Sequence, residues 1–130
     1  MFHILVVDDD KNTRRLMRAV LEADGYTVTT AEDGIAALAA MDREHVDLVV
    51  LDVMMPNMDG YAFCSALRAA QSDLPVLMVS AKQLPEDRKK GFLAGTDDFM
   101  TKPVDTEEML LRIRALLRRA RIVSERRIQL

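Results

Sequence analysis

Four aspartates stand where sheet geometry alone gives little reason for an acid. Asp8, Asp9 and Asp10 directly follow the apolar run at residues 3–7, and Asp52 closes the apolar run that ends at Leu51. Carboxylates crowded at the ends of neighbouring strands need a cation among them. Hard oxygen ligands with room for water and phosphate suit Mg²⁺, which typically binds through one or two carboxylates plus a substrate phosphate. Asp10 has a simpler reading, as N-cap of the helix that follows it. Helix-terminal preference also suits Asp8 and Asp9, but it leaves Asp52 unexplained, an acid read here as an exposed charge at a strand end. Ser80 and Lys102 close two further runs. Singly, these are an ordinary turn serine and an ordinary surface lysine. Together with the acids, a hydroxyl and an ammonium are what a phosphoryl group on Asp52 would need on the sides away from a metal.

These residues need a scaffold that brings four strand ends together. Short β-branched apolar runs alternate five times with segments of helical periodicity, the pattern of an α/β fold around a parallel sheet. Strands are expected at residues 3–7, 27–30, 47–51, 76–79 and 98–101. The first, third and fourth are nearly continuous apolar runs and therefore central, covered on both faces by helices. The first helix is expected at about residues 11–24, with Leu16, Met17, Val20 and Leu21 as its apolar stripe and Gly25 as its stop. Others follow Asp33-Gly34 and Asp59-Gly60, and a fourth runs from Pro85 to Gly95. The last starts as a capping box, Asp105 with Glu108, and carries Met109, Ile113, Leu116 and Leu117 on one face. Right-handed crossovers then favour a doubly wound, flavodoxin-like five-stranded sheet of order 2-1-3-4-5. Its topological switch point lies between the strands that end in Asp8-Asp9 and Asp52, where such folds bind ligands.

The chain has 130 residues, 49% hydrophobic and 30% charged, a length and balance that suit one globular domain. No apolar run approaches the roughly 20 residues of a membrane helix. Met1 leads straight into the first strand without the flanks of a secretory signal, so the expected location is cytoplasmic. A single cysteine, Cys64, excludes an internal disulfide, and two histidines, His3 and His45, leave little for a soft-metal cluster. Residues 105–130 hold seven arginines against four acids, a surplus of +3, so residues 1–104 carry −6 of the total of −3. That asymmetry suits a helix macrodipole as well as a basic linker toward a nucleic-acid-binding module.

The blocks Ile4-Leu5-Val6-Val7-Asp8-Asp9-Asp10, Leu51-Asp52-Val53-Met54-Met55-Pro56-Asn57-Met58-Asp59-Gly60, Val79-Ser80-Ala81 and Thr101-Lys102-Pro103 resemble, in order and spacing, the four motifs of bacterial response-regulator (CheY-like) receiver domains. The resemblance implies that Asp52 is the phosphoacceptor, receiving a phosphoryl group from a sensor histidine kinase in two-component signalling. It implies Mg²⁺ held by Asp9 directly, by Asp8 partly through water, by Asp52, and by the backbone carbonyl of Met54. Ser80 would sense the phosphoryl group and Lys102 would pair with it, before a cis Lys102-Pro103 bond. Such a domain assists its own phosphorylation and dephosphorylation without being a turnover enzyme. Phe99 matches the switch aromatic of the family, though as a residue it reads equally well as plain core. Met54 and Lys82, two positions beyond Asp52 and Ser80, are bulky and should flank the path of attacking water, so the phosphoryl group should persist for minutes or longer.

The charged set Arg88, Asp97, Asp98, Glu108, Arg112, Arg114 and Arg119 is similar to the fourth-helix, fifth-strand, fifth-helix face of OmpR/PhoB-type transcription factors. That likeness implies a phosphorylation-dependent homodimer with Arg88–Glu108 and Asp98–Arg112 pairs, each made twice. A solvated face with local intrachain pairs is the alternative. Residues 1–121 form the expected receiver. Residues 122–130, with alternating apolar and polar character, read as a linker or the start of a missing winged-helix effector domain, through which alone DNA would be bound. A stand-alone receiver acting on a protein partner is the other reading. A haloacid-dehalogenase-type phosphatase would need an acid where Met54 stands, and a flavodoxin would need small residues where Asp8-Asp9-Asp10 stands.

Overall fold

The computed structural model describes the backbone of residues 1–128 apart from 71 and 83, and side chains as far as Arg121. Along the chain run β1 (His3–Val7), α1 (Lys11–Ala23), β2 (Thr27–Ala31), α2 (Gly34–Arg43), β3 (Leu48–Asp52), α3 (Gly60–Ala69), β4 (Val76–Ser80), α4 (Pro85–Ala94), β5 (Asp98–Thr101) and α5 (Thr106–Ile128). All strand pairings are parallel and the sheet order is β2-β1-β3-β4-β5. The three most apolar runs are thus the central strands, and the two more polar ones are the edges.

Alternation along each central strand divides the core. Ile4, Val6, Leu48, Val50, Leu77 and Val79 face Met17 and Leu21 of α1 and Met109, Ile113, Leu116 and Leu117 of α5. Leu5, Val7, Val49, Leu51, Val76 and Met78 face Ala37 and Ala40 of α2 and Phe63, Cys64 and Leu67 of α3. Each strand residue therefore has a covered face to occupy, which is why these runs show no polar alternation. Leu16, counted in the α1 stripe, is 53% exposed and lies outside both cores. Cys64 is buried, and its desolvation pushes the thiol up, so this is a packing residue and not a reactive one.

Helix starts follow the sequence signals. Asp10, Asp33 and Asp59 each accept a hydrogen bond from the backbone N–H three residues on, the N-cap geometry. Asp105 does the same for Glu108 N–H, but the return half of the expected capping box is not made: Glu108 Oε1 accepts from Arg112 instead. β3 begins one residue later than expected, although Asp47 still joins β1: its N–H donates to the His3 carbonyl and its carboxylate accepts from the His3 N–H, both at 2.8 Å. Both β3 and β4 run one residue further, so Asp52 and Ser80 are the last residues of their strands and not the first of their loops. Helix α5 continues to Ile128, so residues 122–128 are helical here despite their alternating sequence; residues 129 and 130 lie outside the described residues.

Candidate functional site

The parallel register decides which strand ends meet. Val7 pairs with Leu51, Asp52 with Val79 and Ser80 with Thr101, so Asp8, Asp52, Ser80 and Lys102 emerge side by side along one rim of the sheet. Carboxylate oxygens of Asp8, Asp9 and Asp52 all lie within 4.8 Å of one another. Asp52 is 3% exposed and Asp8 1%, whereas Asp9 is open to solvent. The expectation of an exposed charge at Asp52 is therefore corrected: the loops beyond the strand ends wall it in.

Buried carboxylates of like sign need counter-groups, and each has one. Asp8 accepts from the Asp10 N–H at 2.9 Å and from Lys102 Nζ at 3.0 Å. Lys102 Nζ also lies 3.5 Å from Asp52 Oδ1, and the Met54 N–H reaches the same oxygen at 3.4 Å. Burial, reinforced by the neighbouring Asp8 charge and offset only partly by Lys102 and the Met54 N–H, pushes the Asp52 carboxyl up to about 6. Burial by itself would lower the Lys102 ammonium. The hydrogen bond to Asp8 and the charges of Asp52 and Asp8 outweigh it and hold that group above its ordinary range. Hard carboxylate oxygens converging on a partly solvated opening fit a small divalent cation such as Mg²⁺. Asp8, Asp9 and Asp52 are the side chains that could hold it.

Ser80 is fully buried, its Oγ accepting from the Lys82 N–H at 3.0 Å, while the Lys102 N–H donates to the Ser80 carbonyl at 2.8 Å. The Lys102-Pro103 peptide is cis. Of the two bulky flanking residues, Met54 is 55% exposed, and the Lys82 ammonium stands 4.0 Å from Asp87 at the start of α4. Phe99 is 4% exposed, packed in the core with the Arg88 guanidinium 6.0 Å from its ring centre.

The charged set on the far helices divides three ways. Arg112 takes both candidate acids within its own chain, Asp98 through Nη1 at 2.8 and 2.9 Å and Glu108 at 2.9 and 3.0 Å. Asp97 turns the other way, accepting from Arg68 of α3 and from the Val76 N–H. Arg114 reaches Asp24 at the end of α1, at 2.7 Å. Asp98, Glu108 and Arg112 thus form one network between β5 and α5 that Asp97 and Arg114 do not share, while Arg88 lies against the Phe99 ring.

Glycines at two close approaches also serve the site, and neither was singled out from the sequence. A Cβ at Gly60 would lie 2.5 Å from the Asp52 carbonyl oxygen, so only glycine lets the start of α3 press against the end of β3. A Cβ at Gly91 would lie 3.1 Å from Met78 Sδ and 3.2 Å from the Phe99 ring, which is how α4 settles over that aromatic. Gly60 was visible as part of an Asp-Gly helix start. Its contact with Asp52 was not, because the contact depends on how α3 returns to β3.

Comparison with known proteins agrees with this geometry. Residues 4–114 match the model of the response regulator receiver domain. Response regulator MprA of Mycobacterium ulcerans (strain Agy99) is 46% identical over 122 residues, covering 94% of this chain and 53% of that protein. The protein named "Probable transcriptional regulatory protein TcrX" of Mycobacterium tuberculosis (strain ATCC 25618 / H37Rv) is 46% identical over 121 residues, covering 93% and 52%. The chain thus spans about half the length of the curated relatives it matches. Among solved structures, the receiver domain of Francisella response regulator 1452 superposes with a TM-score of 0.88 at 33% identity, covering 92% of this chain and 99% of that one. Chemotaxis protein CheY4 of Vibrio cholerae superposes with a TM-score of 0.84 at 32% identity, covering 89% and 98%.

Proposed function

The chain belongs to the response regulator receiver domain family of two-component systems, and from that premise we propose that Asp52 is its phosphoacceptor. The carrying observation is the pairing of a buried strand-end carboxylate with one ammonium at 3.5 Å and two further carboxylates within 4.8 Å. In the proposed reaction the ionised Asp52 carboxylate attacks the phosphorus of a phosphohistidine on a partner kinase, in line with the departing imidazole nitrogen. An O–P bond forms as the N–P bond breaks. No side-chain base is required, since at neutral pH a carboxyl titrating at about 6 is mostly ionised. Lys102, already bridging Asp8 and Asp52, would move its charge onto a phosphoryl oxygen, and the Ser80 hydroxyl would donate to another. Asp8, Asp9, Asp52 and the Met54 carbonyl would hold Mg²⁺, which when bound supplies charge neutralisation at the transferred group.

Readout would pass from Ser80 to Phe99 and on to the face of Arg88, Asp98, Glu108 and Arg112, where a two-fold homodimer would form. Since Arg112 holds both acids within one chain, dimerisation on this reading exchanges local pairs for intermolecular ones. Relatives about twice as long, one of them named a transcriptional regulator, support an output by DNA binding through a separate domain. They favour that reading over a stand-alone receiver. Among the described residues no helix is long and apolar enough to cross a membrane, which fits a cytoplasmic place of action. Residues 1–121 would be the receiver and 122–130 the connection to such a domain.

The test is intact mass and sedimentation after incubation with Mg²⁺ and a small phosphodonor. The native chain should gain one base-labile phosphate that persists for minutes, and Asp52→Ala none; a native chain that stays unmodified would overturn the assignment.

A further inference from the structure

The loop after Asp52 carries Met54, whose carbonyl is the one backbone ligand named above, and that loop is held at two points. Asn57 has φ of 69°, the left-handed region where asparagine is tolerated better than most residues. That conformation places its Nδ2 3.0 Å from Asp33 Oδ2, across 24 residues of sequence. Asp33 is at the same time the N-cap of α2, its Oδ1 accepting from the Ala36 N–H at 2.8 Å. The neighbouring Met58 lies against Gly34, where a Cβ would sit 3.0 Å from Met58 Sδ, so the first residue of α2 leaves room for the loop. At its other end the loop is fastened to the site by the Gly60 N–H donating to the Val53 carbonyl at 2.9 Å.

We propose that Asn57 and Asp33 form a clasp that ties the loop of Met54 to the N-terminus of α2 and so presets the Met54 carbonyl for a divalent cation. Neither residue is among those that would hold the cation or contact the phosphoryl group. Both are positioning residues, and the proposal rests on the reading of Asp8, Asp9, Asp52 and Met54 as the Mg²⁺ site. Its physical content is entropic: a loop of Met-Met-Pro-Asn-Met held at two points loses less freedom when a ligand fixes its carbonyl than one held at a single end. The arrangement also couples α2 to the metal, since whatever moves the α2 N-terminus moves Asp33.

The clasp can be broken and rebuilt without changing net charge. Asn57→Gly keeps the backbone conformation, which glycine adopts freely, and removes the donor. The exchange Asn57→Asp with Asp33→Asn reverses donor and acceptor, and asparagine still caps α2. Mg²⁺ chloride titrations followed by amide shifts in NMR, with urea midpoints alongside, should show about tenfold weaker binding in Asn57→Gly, the lower end of the losses known for outer-shell partners. The exchanged pair should stay within about twofold of native. Metal-free amide exchange at Met54 and Met55 should accelerate in Asn57→Gly and return to native in the exchanged pair, a readout that holds even if the urea midpoint falls. Unchanged affinity and exchange in Asn57→Gly, or an exchanged pair as weak as Asn57→Gly, would overturn the clasp. A native chain that binds no Mg²⁺ would instead refute the metal site on which it rests.

Discussion

Two regions of this molecule are built from the same residue types and behave differently. At the rim of the sheet, Asp8 and Asp52 are buried beside a Lys102 side chain that is 24% exposed, and burial moves the Asp52 carboxyl far from its ordinary value. On the face of α4, β5 and α5, Asp98, Glu108 and Arg112 make shorter and more numerous contacts, yet they sit 22%, 47% and 37% exposed in their side chains. Contact distance is therefore a poor guide to energetic weight. In the rim, the Asp8 and Asp52 carboxylates are withdrawn from solvent and each is sensed by its neighbours. On the face, water and salt screen most of the attraction, and exposed pairs contribute about 0–1 kcal/mol. The rim can thus do chemistry, whereas the face holds pairs that can be exchanged at little cost.

The contrast can be broken most severely by filling the close approach at Gly60. Gly60→Ala should destabilise the fold by about 3 kcal/mol, read from urea unfolding, because the Asp52 carbonyl oxygen 2.5 Å from the added carbon belongs to a central strand that cannot yield. Replacing the rim cation comes next. Lys102→Met should slow phosphorylation by a small phosphodonor by about 100-fold, measured as the rate of mass gain, while raising the apparent Asp52 pKa. A loss of only twofold would mean that the ammonium serves packing and not charge.

The pH response sharpens the same contrast. The folded state binds the Asp52 proton more tightly than the unfolded chain, whose aspartates titrate near 3.8, so its contribution is fully present below about 3.8 and is lost as pH rises through about 6. Without metal, native protein should lose about 3 kcal/mol of stability at this group across that window relative to Asp52→Asn, in urea titrations at successive pH values. Addition of Mg²⁺ should recover part of the loss at the upper end, where the carboxylate is free to bind it. The smallest effect is expected on the face: Asp98→Asn should change monomer stability by less than about 1 kcal/mol, and 0.5 M salt should shrink even that. A larger cost at Asp98 would put this pair in the same energetic class as the rim.

Much of this was legible beforehand because local rules carried it. Period-two strands without polar alternation announced helices on both faces, and the five strands and the first and fourth helices fell within about a residue of their expected bounds. Asp8, Asp9, Asp52, Ser80 and Lys102 could be named because each ends or follows a strand, and parallel strands of one sheet must end on the same rim. The internal partners of the charged face were not legible. Arg112 has acids four and fourteen residues before it, and only the packing of α5 beside β5 decides that it reaches both. Asp97 and Asp98 are adjacent in sequence, at the entry to β5, but reach different helices, one Arg68 of α3 and the other Arg112 of α5.

The sequence by itself determined the element order, the central strands, the helix caps and the set of chemically capable residues, because hydrophobic period and capping preference act over a few neighbours. Tertiary structure alone decided that Asp52 is buried and not exposed, that Gly60 must lack a side chain, that Asn57 meets Asp33, and that Arg112 holds both Asp98 and Glu108. Those outcomes depend on distances between residues far apart in the chain, and burial, which sets the energy of a charge, is a property of the whole fold.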